Sequence, residues 1–385
     1  MASKTVGRTC IQSSFVHPKE CCDLAVAALD QHVSIPIHGS LTQTAVFQTL
    51  IGLTTMQQSI HSISTMLEKS PCETSLRYHL AKLRMDDLEA ANTIILTHQV
   101  SSVLTPGKAY TFAIDYTNDP YYGRVSSENK GYIIRSQLKK STNDFYSYVT
   151  ISVITQNRQV TLAVYPVTKG TSKIAYIARC LDAITTKDLK IQALCLDREF
   201  YTRKVIDFLT TVQVPFIIPV KKHSRAMKQL LIGTKARFGE YILRGKPPLH
   251  LKIAINVKYA KGKRGKHGVE NLGYVVHGIP GKPQRIHEIY RSRFAIESSY
   301  RMRNQVKPRT STRNPVIRYL FAIIAFLLKN LWMTVLWTRF SPVKQGPRTI
   351  EMGEFRFDQF KLFIGEAVRV TLKIVRKIPA LRKPG

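Results

Sequence analysis

The hydrophobic period of the sequence changes near residue 109, and this change most constrains the fold. Up to about residue 105, apolar residues recur every three or four positions, which is typical of amphipathic helices. Beyond Ala109 they alternate with polar residues, which is typical of strands. Predicted strands cover residues 110–114, 146–154 and 160–164, and helices then alternate with strands at 191–196 and 216–220. This order predicts an α/β fold with a mixed sheet, preceded by an all-helical N-terminal region.

A second change of pattern follows residue 220. Two predicted strands, 249–259 and 272–276, are joined by a loop rich in Gly and Lys, which indicates a β-rich basic insertion. Helical periodicity then returns. We therefore expect five regions: a helical N-terminal region (1–105), a first part of the core (106–220), the insertion (221–285), core helices (286–340) and a C-terminal extension (341–385).

The charge of the chain is unevenly distributed. The 58 Lys and Arg exceed the 25 Asp and Glu, which gives a net charge of +33. Residues 1–105 carry 7 basic and 8 acidic side chains, whereas residues 106–385 carry 51 and 17. Because 44% of the residues are hydrophobic, the chain can build a core and is not a disordered basic tail. We expect a folded protein whose second part binds a large polyanion.

Cysteine usage and hydropathy narrow the setting. The 6 cysteines show no C-x-x-C pair and no zinc-ligand spacing, and the first 15 residues lack the apolar core of a signal peptide, so we expect a reducing, intracellular environment. The apolar segment 316–337 is interrupted by Arg318, Lys329 and Asn330. The uninterrupted run is too short to span a membrane, so we expect a buried core helix and no membrane partner.

A helix pair in the N-terminal region is a candidate DNA reader. Residues 59–67 and 72–83 predict two helices joined by a tight turn, and the residues from Ser70 to Glu73 predict a capping box. Such a pair could be a helix-turn-helix with Arg77 near the end that enters the major groove. Because this region has no net positive charge, a plain helical hairpin is an equally good interpretation.

Three acidic residues stand out by their position. Asp115 ends the predicted strand YTFAID, Asp197 ends the predicted strand IQALCLD, and Glu297 lies in a basic helix. An acidic residue directly after an apolar strand lies at the carboxyl edge of a sheet, where open α/β folds bind their ligands. Carboxylates brought together need a cation between them, and hard oxygen ligands suit Mg²⁺ or Mn²⁺. Three of them could hold two ions about 4 Å apart, the arrangement that stabilises both the attacking and the leaving oxygen in phosphodiester chemistry.

The surroundings of Glu297 favour a polyanion. On a continuous helix, Tyr290, Arg293 and Glu297 would share one face, and a phosphate backbone could lie along it. The alternative is an exposed helix whose Glu forms surface ion pairs of little energy. Four arginines flank Glu297: Arg291, Arg293, Arg301 and Arg303.

From about Tyr110 to about Arg339 the sequence resembles the DDE transposases of bacterial and archaeal insertion sequences, whose catalytic core is RNase H-like. In that family the first Asp follows the first core strand, the second follows the fourth strand, and the Glu lies on a later helix. Asp115, Asp197 and Glu297 match this order with spacings of 82 and 100 residues. The long second spacing is similar to a subgroup with a β-strand insertion there, which residues 221–285 supply.

That subgroup also has a signature around its Glu: Tyr, two residues, Arg, three residues, Glu, six residues, Lys. Tyr290, Arg293 and Glu297 fill the first three positions, whereas Asn304 stands where the Lys is expected. Three nearby cations could substitute for that Lys: Arg301, Arg303 and Lys307.

The resemblance implies a DNA transposase. Asp115, Asp197 and Glu297 would bind two Mg²⁺ or Mn²⁺ ions, cleave the element ends and transfer the exposed 3′-hydroxyl into target DNA. Its partners would be double-stranded DNA, at element ends and target, and a second copy in a homodimer. Its location would be cytoplasmic and nucleoid-associated, in a prokaryotic cell. The predicted DNA contacts are Tyr290 and Arg293 by resemblance and, by charge and position, Arg301, Arg303, Lys307, Lys263, Arg264, Lys266 and Arg77.

Two other functions stay open at this point. A transposase-derived DNA-binding protein without catalysis is favoured by Asn304 but not by the intact set of three carboxylates. A metal-dependent DNA nuclease with an RNase H-like fold would cut DNA without joining it.

Overall fold

The computed structural model describes residues 15–155, 158–261, 267–341 and 350–377. The described part of the N-terminal region, residues 15–105, is helical, as predicted. Thr42 and Ser59 cap two of its helices, because each side chain accepts a hydrogen bond from a backbone N–H three residues on. The helices are α1 (Pro18–Asp30), α2 (Gln43–Thr55), α3 (Ile60–Met66), α4 (Glu73–Leu80) and α5 (Met85–Thr97).

The C-terminal helix belongs to the same bundle. Helix α12 (Phe357–Leu372) packs on α1 and α2. A Cβ at Gly52 of α2 would lie 2.7 Å from Val368 Cγ1, so glycine allows the close approach of these two helices. Helix α12 therefore stabilises the N-terminal helices α1 and α2.

The predicted capping box of the α3–α4 pair is wrong. Helix α4 begins at Glu73 with Cys72 at its N-cap, and no side chain caps it. Glu73 instead contacts His61 Nδ1 at 2.6 Å and accepts a hydrogen bond from Arg77 Nε at 2.8 Å. The helix–turn–helix connection is present, whereas its DNA-reading role stays a prediction.

One nine-stranded mixed sheet forms the centre of the molecule, which confirms the predicted fold class. Strands β1, β5 and β6 are parallel, and the other pairs are antiparallel. The order is β2-β3-β1-β5-β6-β9-β8-β7, and β4 pairs with β3 beside β2. The strands are β1 (Ala109–Pro120), β2 (Ile133–Lys139), β3 (Thr142–Thr155), β4 (Arg158–Pro166), β5 (Lys190–Leu196), β6 (Phe216–Pro219), β7 (Arg237–Leu243), β8 (Leu249–Lys261) and β9 (His267–His277).

The strands of the predicted insertion extend this sheet. β9 pairs with β6 from Phe216 opposite His277 to Pro219 opposite Tyr274. β8 then pairs with β9, and β7 pairs with β8. The sheet therefore runs without a break from the core strands into the basic segment.

Helices cover both faces of the sheet. One face packs α9 and α10 against small and apolar side chains such as Ala113, Cys195 and Ile217. The continuous helix predicted to carry Tyr290, Arg293 and Glu297 is wrong, because a 3-10 turn at Ser292–Phe294 separates α9 from α10. The helices after β4 are α6 (Lys173–Thr185), α7 (Arg203–Thr211), α8 (Arg225–Leu230), α9 (Pro283–Arg291), α10 (Ala295–Gln305) and α11 (Pro315–Arg339).

Helix α11 is the predicted buried core helix. It is long and apolar enough to cross a membrane, but its whole apolar window is buried inside the protein. Asn330 is satisfied there because its side chain donates to Leu96 O and Thr161 O and accepts from Thr161 N. This polar contact joins α11 to α5 and β4.

Candidate active site

The two strand-borne aspartates meet at one edge of the sheet. β1 and β5 are parallel neighbours, and their last paired residues are Ile114 and Leu196. Asp115 and Asp197 each come directly after this pair. Because the two chains run side by side, both carboxylates lie at the carboxyl edge of β5, as the sequence predicted.

Asp115 does not end its strand, and that part of the prediction is wrong. β1 continues to Pro120, because residues 115–120 remain paired with β3 on the other side. Only the parallel pairing to β5 stops at Ile114. Asp115 is therefore held within a two-stranded ladder, and its Oδ1 also accepts a hydrogen bond from Tyr116 N at 2.9 Å.

Arg293 stands between the two aspartates. Its Nη2 lies 3.1 Å from Asp115 Oδ1 and 3.7 Å from Asp197 Oδ1. The Arg293 side chain is 8% exposed and that of Asp115 is 13% exposed, whereas Asp197 is 39% exposed. The two carboxylates therefore converge on one cation in a partly dry site, where the charges interact more strongly than in water.

Burial raises the pKa values of two side chains at this site, Asp115 and Tyr290. It raises the pKa of Asp115 to about 6; the Arg293 charge opposes this shift, and the Asp197 charge adds to it. Burial also raises the pKa of the Tyr290 phenol well above its usual range. Tyr290 is therefore protonated at neutral pH and can donate a hydrogen bond.

The first three signature residues, Tyr290, Arg293 and Glu297, line one cleft of about 1400 Å³. Glu297 is exposed in the first turn of α10, and Tyr290 lies near the end of α9, so the 3-10 turn between them replaces the predicted common helix face. Within the described ranges, no three His, Cys, Asp or Glu side chains are close enough to form a metal site. The structure thus brings Asp115 and Asp197 together around Arg293. Glu297 lines the same cleft, but it is not close enough to the two aspartates to complete a metal site with them.

The cleft also contains polar side chains that the sequence did not single out. Tyr274 Oη lies 2.8 Å from His287 Nδ1, and the Tyr274 ring is 5.0 Å from that of Tyr290. Arg135 and Lys139 of β2 line the cleft as well. β2 was not predicted as a strand, because most of its side chains are exposed and give no apolar pattern.

Arg303 does not reach the surface, so the structure does not support its predicted contact with DNA. Its side chain is 1% exposed and donates to Asp119 through the two terminal guanidinium nitrogens, Nη1 and Nη2, at 2.5 and 2.7 Å. Lys307 Nζ lies 2.9 Å from the same carboxylate. Two of the three cations that could have replaced the signature Lys, Arg303 and Lys307, are thus paired with a residue of β1.

The other predicted DNA contacts have varied positions. Arg301 is exposed on α10, and Arg77 is partly exposed on α4 beside Glu73. Arg293 and Tyr290 are buried at the base of the cleft. The basic loop residues Lys263, Arg264 and Lys266 lie outside the described residues.

Comparison with known proteins adds three findings. A family model described as "Transposase DDE domain" matches residues 106–331. A search of curated proteins gives no match. Among solved structures, the chain is similar to the cryo-EM structure of the piggyBac transposase synaptic complex with hairpin DNA, with a TM-score of 0.51 and 12% sequence identity, over 96% of this chain and 83% of that chain.

Proposed function

This chain belongs to the DDE transposase family, whose domain spans residues 106–331, and on that premise we propose that Asp115, Asp197 and Glu297 form its catalytic site. The protein is a DNA transposase. The family generally uses divalent metal ions. The proposal for this chain concerns the residues that bind the ions and the two reactions that they serve.

The observation that carries the proposal is the meeting of Asp115 and Asp197 around one cation, the Arg293 guanidinium. Two carboxylate oxygens that converge on a cation are the donor set that Mg²⁺ and Mn²⁺ prefer, so the residues fit a divalent ion. Glu297 in the same cleft supplies a third carboxylate. Two bound ions would stabilise the attacking and leaving oxygens at a phosphorus centre.

The other two signature residues, Arg293 and Tyr290, bind the DNA substrate. Arg293 bears the charge that a phosphate oxygen binds, and the protonated Tyr290 phenol donates a hydrogen bond. The reactions are hydrolysis at each element end, which exposes a 3′-hydroxyl, and transfer of that hydroxyl into target DNA. Because the two element ends must be held together while each is transferred into target DNA, the acting form is a homodimer on double-stranded DNA. A prokaryotic, nucleoid-associated location accords with this role.

The test is cleavage and joining of a labelled duplex that carries the element's own ends, with Mg²⁺, with Mn²⁺ and with EDTA. Asp115→Asn, Asp197→Asn and Glu297→Gln are each expected to lose at least 100-fold in both products while DNA binding is retained. Glu199→Gln is the matched control, because Glu199 lines the same cleft outside the set of three.

Three outcomes would change the assignment. A variant of the three carboxylates that still cuts would remove that residue from the site. Cutting without joining would favour a nuclease. DNA binding without cleavage or joining, in Mg²⁺ and in Mn²⁺, would favour a non-catalytic DNA-binding protein. Asn304 in place of the signature Lys would explain the loss of activity.

A further inference from the structure

The β2–β3 hairpin forms an exposed basic edge of the sheet. β2 pairs only with the first residues of β3, and its other edge has no strand partner among the described residues. Every residue from Arg135 to Lys140 is exposed. The segment carries Arg135, Lys139 and Lys140 and no acidic residue, so it adds three positive charges to this edge.

The hairpin lies on the same cleft as the two aspartates. Arg135, Gln137 and Lys139 of β2 all line the cleft. In the strand order, β2 stands on one side of β1 and β5, and β8 stands on the other. Lys258 of β8 lines the cleft from that second side. Positive charge therefore borders the carboxylates on both sides.

The tip of the hairpin is held in place. The turn between β2 and β3 has Lys140 and Ser141 at positive φ (50° and 62°), as a tight hairpin turn requires. Tyr122 Oη donates to Lys140 O at 2.8 Å. Thr142 Oγ1 donates to Tyr121 O at 2.9 Å. The tip is thus fixed to the residues that directly follow β1, the strand that carries Asp115.

Among the described residues, the exposed cations of this edge have no acidic partner that stabilises them strongly. Arg135 contacts Asp144 at 3.5 Å with 74% of its side chain exposed, a surface pair worth little. In the described part of the chain, no ion pair of Lys139 or Lys140 is seen. Cations held beside a cleft without acidic partners are typical of a surface that binds phosphates.

We propose that the β2–β3 hairpin is a DNA-binding element, in which Arg135 and Lys139 contact the phosphates of the duplex beside the scissile bond. This inference rests on the proposed function, since it takes the cleft as the DNA site. The phosphate contacts on the β2 side of the carboxylates are thus made by a segment other than α9, α10 and the basic loop.

The test is the salt dependence of DNA binding by the full chain in EDTA, where no cleavage occurs. The probe is a fluorescent 40-base-pair duplex of arbitrary sequence, titrated at several KCl concentrations. The test variant is Arg135→Gln/Lys139→Gln. The matched control is Lys108→Gln/Lys190→Gln. It removes two exposed charges where β1 and β5 begin, at the sheet edge opposite the two aspartates. Leu138→Gln changes an exposed side chain of the same strand without a change of charge.

Each phosphate contact contributes about 0.9 to the slope of log K against log salt for duplex DNA. We therefore expect the slope of the Arg135/Lys139 variant to fall by about 2, and those of the control and Leu138→Gln to stay at the wild-type value. Equal slopes for the two double variants, with equal melting temperatures, would overturn the proposal. Because the assay needs no metal, its result is independent of whether the three carboxylates are catalytic.

Discussion

Arg303 on α10 and Asp119 on β1 are joined by two buried hydrogen bonds of 2.5 and 2.7 Å. Asp119 lies four residues after Asp115 on the same face of β1, and Arg303 lies six residues after Glu297 on α10. The pair therefore fixes the helix that carries the third carboxylate to the strand that carries the first. Tyr300 Oη, 2.7 Å from Thr150 Oγ1, adds a second link at the residue that pairs with Asp115.

Loss of Arg303 is expected to destabilise the whole protein. Arg303→Met leaves the Asp119 carboxylate buried with Lys307 as its remaining cation, and breaking a buried pair from one side costs about 3–5 kcal/mol. The measurement is urea unfolding, followed by circular dichroism. Arg301→Gln, on the exposed side of α10, is the control and should change stability by less than about 0.5 kcal/mol. Equal effects of the two substitutions on the free energy of unfolding would show that the buried Arg303–Asp119 pair stabilises the protein no more than an exposed side chain does.

The same pair predicts a dependence of stability on pH. Burial alone would raise the pKa of Asp119, but the charges of Arg303 and Lys307 outweigh it and hold the pKa well below its usual range. The stabilisation is therefore complete above the unfolded-state pKa of about 4 and is lost as the pH falls below it. The unfolding free energy of the wild type should decrease more steeply between pH 5 and 3 than that of Asp119→Asn, as measured by urea titrations. Parallel curves would contradict this assignment.

Local periodicity was enough to predict most of the fold. The helices of the N-terminal region, the alternating strands and the buried helix α11 all follow from the spacing of apolar residues. β2 and β7 were missed because short edge strands with exposed side chains lack an apolar pattern. The break between α9 and α10 has no Pro or Gly to mark it, and it depends on tertiary packing that the sequence does not display.

The site was predictable only in part, for a related reason. Position in the chain placed Asp115 and Asp197 at one sheet edge, because strand order and direction determine that edge. The partner of a charged side chain depends instead on which elements pack together. Arg303 was therefore assigned to DNA although it binds Asp119, and Arg293 was not expected to bridge the two aspartates.

Removal of Arg293 is expected to increase the effect of metal on stability. In the metal-free protein Arg293 balances Asp115 and Asp197, so Arg293→Gln leaves two close carboxylates that repel each other. The variant should have a lower melting temperature without metal and a larger rise on addition of Mn²⁺ than the wild type. Differential scanning fluorimetry measures both values. Arg291→Gln, an exposed neighbour that lines the cleft, should match the wild type, and equal rises in all three proteins would contradict the prediction.

Lys329 is expected to reduce stability at neutral pH. It is buried in α11, where it donates to Gln159 O, and burial lowers its pKa to about 7. The unfolded chain, with a Lys pKa of about 10.4, binds this proton more tightly, so the contribution of Lys329 to stability should rise as the pH increases from about 7 to 10. Lys329→Met should lack this rise and should be at least as stable as the wild type at pH 7. Urea unfolding at pH 7 and pH 9.5 compares the two proteins, and an identical pH dependence would mean that the pKa of Lys329 is the same in the folded and the unfolded chain.

Asn304 offers a test of how DNA lies along α10. It is exposed seven residues after Glu297, two helical turns further on the same face, and its side chain accepts a weak hydrogen bond of 3.3 Å from Arg303. Because Arg303 and Lys307 are both engaged with Asp119, neither extends a free cation along this face. Asn304→Lys should therefore add one phosphate contact, with a salt slope steeper by about 0.9 in the duplex-binding assay.

The outer face of α10 also provides the control for this substitution. Ser298→Lys adds the same charge one residue after Glu297, where the helix turns the side chain by about 100° away from the Glu297 face. A steeper slope for Asn304→Lys alone would indicate that the DNA backbone follows the Glu297 face towards the end of α10. An unchanged slope for Asn304→Lys would mean that the DNA leaves the helix before position 304, and that the Lys position of the signature has no function in this chain.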